Sequence, residues 1–124
     1  MRIITNNPLV RNEYPQITEY LDTTVKDVLT EVRYYIHIGA ELLNHPMLGN
    51  LAIGENPYVS LVLKDLSEFA PVAVNYISLS LIEEAMGQLK DPPENFKGYD
   101  LKTLDDFKVM DLDMLNECLK KVIK

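Results

Sequence analysis

The sequence of 124 residues contains one cysteine, two histidines, no tryptophan and only five glycines. Each scarcity closes a class of protein. A lone thiol, Cys118, forms no internal disulfide, so the chain is not a disulfide-stapled scaffold. The histidines at positions 37 and 45 make no HxxxH or HExxH pair and there is no CxxC, so neither a structural metal nor a catalytic zinc or iron is expected. Gly49 and Gly54 form neither GxGxxG nor GxxxxGK[ST], which removes the recurrent phosphate cradles, and no cofactor is implied. Long hydrophobic runs are also missing. The longest mainly apolar stretch, residues 69–82, contains Pro71, Asn75, Ser78 and Ser80, and it falls short of the roughly 20 residues that a bilayer core requires.

Basic residues are in deficit. Twelve Lys and Arg against nineteen Asp and Glu leave a formal charge of -7, which repels a nucleic-acid backbone. Met1 is followed by Arg2-Ile3-Ile4-Thr5-Asn6-Asn7 and not by an apolar signal region. With a single cysteine, this places the expected setting in the reduced cytoplasm. The acidic series Asp100, Asp105, Asp106, Asp111 and Asp113 lacks the alternating ligands and mid-loop glycine of a calcium loop, and reads as a solvated face with a helix cap. Cys118 lies among apolar helix positions and reads as buried rather than nucleophilic.

What is present suits a folded chain: 47% apolar and 25% charged residues, enough for one core in one domain spanning 1–124. Arg2 to Thr5 reads as a strand ended by a turn at Asn6-Asn7-Pro8, and Ile17 to Leu21 as a second. Apolar residues at 25, 28, 29, 32, 35 and 36 make one helical stripe, which Gly39 ends in a left-handed stop. Residues 40–44 and 58–63 predict two more strands, with strands two and three paired in parallel through a right-handed crossover. A second helix is expected over 70–89. A short fifth strand is expected at 107–110 and a last helix capped by Asp111, while Phe96 and Tyr99 anchor the preceding loop. The fold class is α/β: a small domain with a mainly parallel sheet of four or five strands flanked by about three helices.

Three X-Pro pairs stand at strand ends: Asn7-Pro8, His45-Pro46 and Asn56-Pro57. In open parallel sheets ligands bind beyond the carboxyl ends of the strands, which makes this edge the candidate site. Asn6, Asn7, Asn56 and Tyr58 are its ligand-binding candidates. His45 is the candidate acid/base, with Glu55 orienting its imidazole. Taken singly, each pair is also an ordinary turn former whose polar side chain bonds nearby backbone. His37, in the last turn of the first helix, reads as a cap against the helix dipole. Tyr34, Tyr35, Tyr58 and Tyr76 read as core-edge residues or as part of a dimer seam, so a homodimer stays open.

The segments IITNNPLV, VLTEVRYYIHIG, ELLNHPMLG, ENPYVSLVL and NYISLSLIEEA, in this order over residues 2–86, resemble the GrdX family of small proteins encoded beside glycine, sarcosine and betaine reductase components. The resemblance implies an accessory role in anaerobic amino-acid fermentation, with a reductase-complex component or a small polar metabolite as partner. It supplies no reaction. Asn6, Asn7, Pro8, His45, Pro46, Glu55, Pro57 and Tyr58 match the family pattern, whereas Ala40 and Asn44 depart from it, so no fixed catalytic set is carried through those two positions. Three functions follow: an accessory binding protein, a small enzyme using His45, or a structural subunit docked on a reductase component. The charge divides as well. Residues 1–64 carry five basic and seven acidic side chains, and residues 65–124 carry seven and twelve, which makes the second part the acidic flank.

Overall fold

The computed structural model describes residues 1–46, 56–64, 73–89 and 98–122. Arg2–Thr5 forms β1, and its successive side chains point to opposite faces of the sheet: Ile4 into one apolar cluster, Ile3 into another. Both faces are covered, which is why the adjacent Ile3 and Ile4 are both fully buried. The turn expected at Asn6-Asn7-Pro8 is instead the start of a helix, α1 (Pro8–Glu13). The restriction before proline applies only to Asn7, whose extended backbone (φ -98, ψ 114) is the geometry of an N-cap, and Pro8 fits the first turn because it lacks an N–H.

The chain continues through β2 (Thr18–Tyr20) into α2 (Val25–His37), where Val25, Val28, Leu29, Val32 and Ile36 are buried as the periodicity predicts. Thr24 caps this helix by accepting from the Asp27 N–H at 3.1 Å, and Gly39 at φ 110 ends it. His37 stands exposed in its last turn, the position expected of a helix-end cation. β3 (Glu41–Leu42), β4 (Ser60–Lys64), α3 (Tyr76–Gln88) and α4 (Leu101–Val122) follow.

The sheet order is β2-β1-β4-β3. β1 and β2 are parallel, while β4 runs antiparallel to both β1 and β3. Three strands thus share a direction, yet the four-stranded sheet is mixed rather than mainly parallel. The expected pairing of strands two and three does not form, since α2 carries the chain from one edge of the sheet to the other. Burial explains the order. Leu61 and Leu63 on one side of β4 and Val62 on the other fill both clusters, so β4 takes a central slot and the shorter, half-buried strands take the edges.

α2 and α3 cover one face of the sheet, around Ile4, Leu61 and Leu63. α1 and α4 cover the other, where Val10, Leu115 and Leu119 meet Ile3 and Val62. Among the described residues there are four helices, where about three were expected. The strand predicted at 107–110 lies inside α4, which starts ten residues before the expected cap; Asp100 accepts from the Thr103 N–H at 2.8 Å in the role given to Asp111. α3 begins at Tyr76, not 70, because Asn75 caps it through the Ser78 N–H at 2.9 Å. The predicted positions 70–72, Phe96 and the loop residues 49–55, Glu55 included, lie outside the described residues. Among the described residues no helix is long and apolar enough to cross a membrane.

Edge strand β3 is fastened to α3 by one buried contact, in which the Leu42 N–H donates to Ser78 Oγ at 2.9 Å. Ser78→Ala leaves that N–H without an acceptor, and the expected loss is about 1–2 kcal/mol of unfolding free energy by urea titration. A loss within experimental error of zero would show that β3 is held by apolar packing alone.

Candidate functional site

The carboxyl ends of β1 and β3 and the start of β4 share one edge of the sheet, where the X-Pro pairs converge. The two amides that leave β1 are fully engaged there. Asn6 donates through Nδ2 to Thr23 O at 2.9 Å and Pro57 O at 2.8 Å, and its Oδ1 accepts from the Val59 N–H at 2.9 Å. One side chain thereby ties β1 to the β2–α2 connection and to the approach of β4. Asn7, with no solvent exposure, accepts from the Leu9 N–H at 3.0 Å as the α1 cap and donates to Lys108 O and Asp111 Oδ2, both at 2.9 Å. Both amides at the end of β1 are thus spent on hydrogen bonds within the fold.

Asp111 is the member of this cluster that the sequence does not reveal as such. It stands on α4, four residues before Leu115 and eight before Leu119, in the stripe that faces the sheet. A carboxylate in an apolar stripe is the signal that points to it. Only 8% exposed, Asp111 Oδ2 is met by Asn7 Nδ2 and by Ser60 Oγ at 2.7 Å; Ser60 Oγ lies 2.7 Å from Thr5 Oγ1, which in turn reaches Val59 O at 2.9 Å. No lysine, arginine or histidine pairs with it among the described residues. Burial pushes its carboxyl above the ordinary value, against the hydrogen bonds from Asn7 and Ser60 that favour the charged form.

Asn56 makes an Asx turn over Pro57, its Oδ1 accepting from the Tyr58 N–H at 2.9 Å while Nδ2 donates to Phe107 O at 3.1 Å. Tyr58 is buried, with the Lys108 ammonium 5.7 Å from its ring centre. Burial first, then the neighbouring Tyr20 and the charges of Asp105 and Asp22, raise its phenol pKa. The four amide and tyrosine candidates therefore meet at one edge, and Asn6, Asn7 and Asn56 spend their side chains binding β1, β4 and α4 together.

His45 is exposed and lies elsewhere on that edge. It lines a pocket of about 500 Å³ with Leu43 and Asn44 on one wall and Asp113, Met114, Glu117, Cys118, Lys121 and Val122 of α4 on the other. Asn44 builds the first wall by completing the ladder: its Nδ2 donates to Ser60 O at 3.0 Å and its Oδ1 accepts from the Val62 N–H at 2.8 Å. Neither Asn6 nor Asn7 lines this pocket. Its floor is aliphatic and sulfur-bearing, its rim carries both signs of charge, and burial pushes the Cys118 thiol up, only partly offset by Lys121. A thiol so placed is not poised as a nucleophile. Among the described residues no group of three or more His, Cys, Asp or Glu side chains is arranged to hold a metal ion.

No curated protein and no solved structure gives a significant match to this chain. A family model does. Residues 2–120 match the model described as GrdX-like protein, which extends the likeness beyond α3 and through nearly all of α4, including Asp111 and most of the pocket wall. The chain belongs to the GrdX family.

Proposed function

We propose that this protein is an accessory factor of the glycine, sarcosine and betaine reductase system of anaerobic amino-acid fermentation, and that it holds a small polar metabolite in the pocket between His45 and α4. The observation that supports this reading is the pocket of about 500 Å³ at the carboxyl end of β3, a volume suited to a small molecule, rimmed by His45, Asp113, Glu117 and Lys121. A rim with both charge signs suits a zwitterion, whose ammonium and carboxylate are recognised by opposite charges. Binding fits the residues better than catalysis does: the amides of the neighbouring edge are consumed by the fold, and the thiol in the pocket is held in its protonated form.

Amide-resolved NMR titration with glycine, sarcosine and betaine in turn tests the reading. At least one of them is expected to move the signals of residues 43–45 and 113–122, and His45→Ala to weaken that binding roughly tenfold. If none of the three perturbs these residues and no reductase component is retained by the immobilised protein, the reading is wrong.

A further inference from the structure

The pocket wall on α4 continues toward the start of the helix as an exposed stripe that nothing in the described chain covers. Asp106, Met110, Met114, Glu117 and Lys121, all exposed, succeed one another at steps of three and four residues, the spacing of one helix face. Met110 is 42% and Met114 37% exposed, both large apolar side chains at the middle of the face. Glu117 is paired with Lys120 at 3.1 Å; the two charges of the stripe that make no ion pair with a described residue are opposite in sign, Asp106 near one end and Lys121 near the other.

We propose that this face is a two-fold interface, on which α4 of a second copy packs antiparallel with its Met114 at the axis. The spacing makes the stripe complementary to itself. Asp106 lies eight residues before Met114 and Lys121 seven after, about 12 Å and about 10.5 Å along a helix rising 1.5 Å per residue. Turning one helix over therefore sets Asp106 of each copy beside Lys121 of the other. Met110, four residues before the axis, meets Cys118, four residues after it, so the methionine of each copy seats over the opening of the other's pocket. Methionine suits such a seam because its unbranched thioether adapts to an irregular cavity. The antiparallel arrangement also places each helix's positive end near the other's negative end. A basic peptide is a poorer fit, since Lys121 would repel it at one end of the face; a second copy meets both signs. This inference rests on the face of α4 and not on which system the protein serves; because the second copy covers the pocket opening and engages Lys121, dimerisation and metabolite binding compete for the same rim.

Light scattering on the eluting protein, without added ligand, reads the outcome directly. The expected mass is twice the 14.2 kDa of one chain. Asp106→Lys and Lys121→Asp are each expected to weaken dimerisation roughly tenfold by placing like charges together, and the double variant to restore it. Circular dichroism keeps unfolding apart from dissociation. In a Cys118→Ser background, Met114→Cys is expected to cross-link two chains on mild oxidation. A monomer at high micromolar concentration overturns the proposal, as does a dimer indifferent to both charge reversals, which would place the contact on another face.

Discussion

Asn7→Ala is expected to lower the unfolding free energy by about 3 kcal/mol. Three losses combine. The α1 cap disappears, typically worth about 1 kcal/mol. Lys108 O and Asp111 Oδ2 lose their donor in a site with no room for water to enter at low cost, each a further contribution of about 1 kcal/mol. Because Asn7 joins β1, α1 and α4, the change loosens α4 as well as the local turn. Urea denaturation followed by far-ultraviolet circular dichroism measures it; a midpoint shift equivalent to less than about 1 kcal/mol would mean that apolar packing of Leu115 and Leu119, not the amide, holds α4 down.

Asp111→Asn is expected to remove a pH dependence and to cost nothing at neutral pH. The folded-state pKa of Asp111 is raised above the ordinary 3.8. A group raised in the folded state contributes its stability fully below the unfolded pKa and loses it as pH rises through the folded value. The native protein should therefore lose stability, relative to the variant, from about pH 4 upward, by about 1.4 kcal/mol for each unit of the elevation, and then level off. An asparagine placed with its carbonyl at the Oδ2 position still accepts from Asn7 and Ser60, and its amide occupies the other oxygen's place. Asp111→Ala, by contrast, strands both donors and should lie about 2–3 kcal/mol below Asp111→Asn at every pH. The measurement is unfolding free energy of the three proteins between pH 4 and pH 9. A native curve parallel to that of Asp111→Asn would show that Asp111 titrates like an exposed carboxyl.

Much of the fold was legible locally. The helical stripe from Val25 to Ile36 and its Gly39 stop follow from spacing and backbone chemistry, and the structure has both. The family was legible too, from the order of short segments in the first half of the chain, and the family match covers residues 2–120. Where reading failed, a local rule met a distant partner. Phe107 to Met110 has the composition of a strand, yet lies in the middle of a 22-residue helix, because Leu115 and Leu119 bury against Ile3 and Val62 and carry the preceding turns with them. Asn7-Pro8 spells a turn as readily as a cap, and the choice falls to the cap because Val10 finds a place under the sheet.

The candidate site divides in the same way. The strand ends marked by Asn-Pro and His-Pro share one edge of the sheet in the structure, but the sequence does not show the work each side chain does there. Asn6 and Asn7 became clamps because β4 inserts beside β1 and α4 crosses over its end, bringing Pro57, Val59, Lys108 and Asp111 within hydrogen-bond reach. None of these partners is within 50 residues of them in the chain. By itself the sequence determined composition, charge, helix periodicity and the edge at which the polar residues gather, all properties of neighbours along the chain. The tertiary structure alone decided the mixed strand order, the burial of Asp111 without a counter-ion, and the pairing of His45 with α4 in one pocket. These depend on which surfaces meet, and that is set by the packing of both faces of β4 at once.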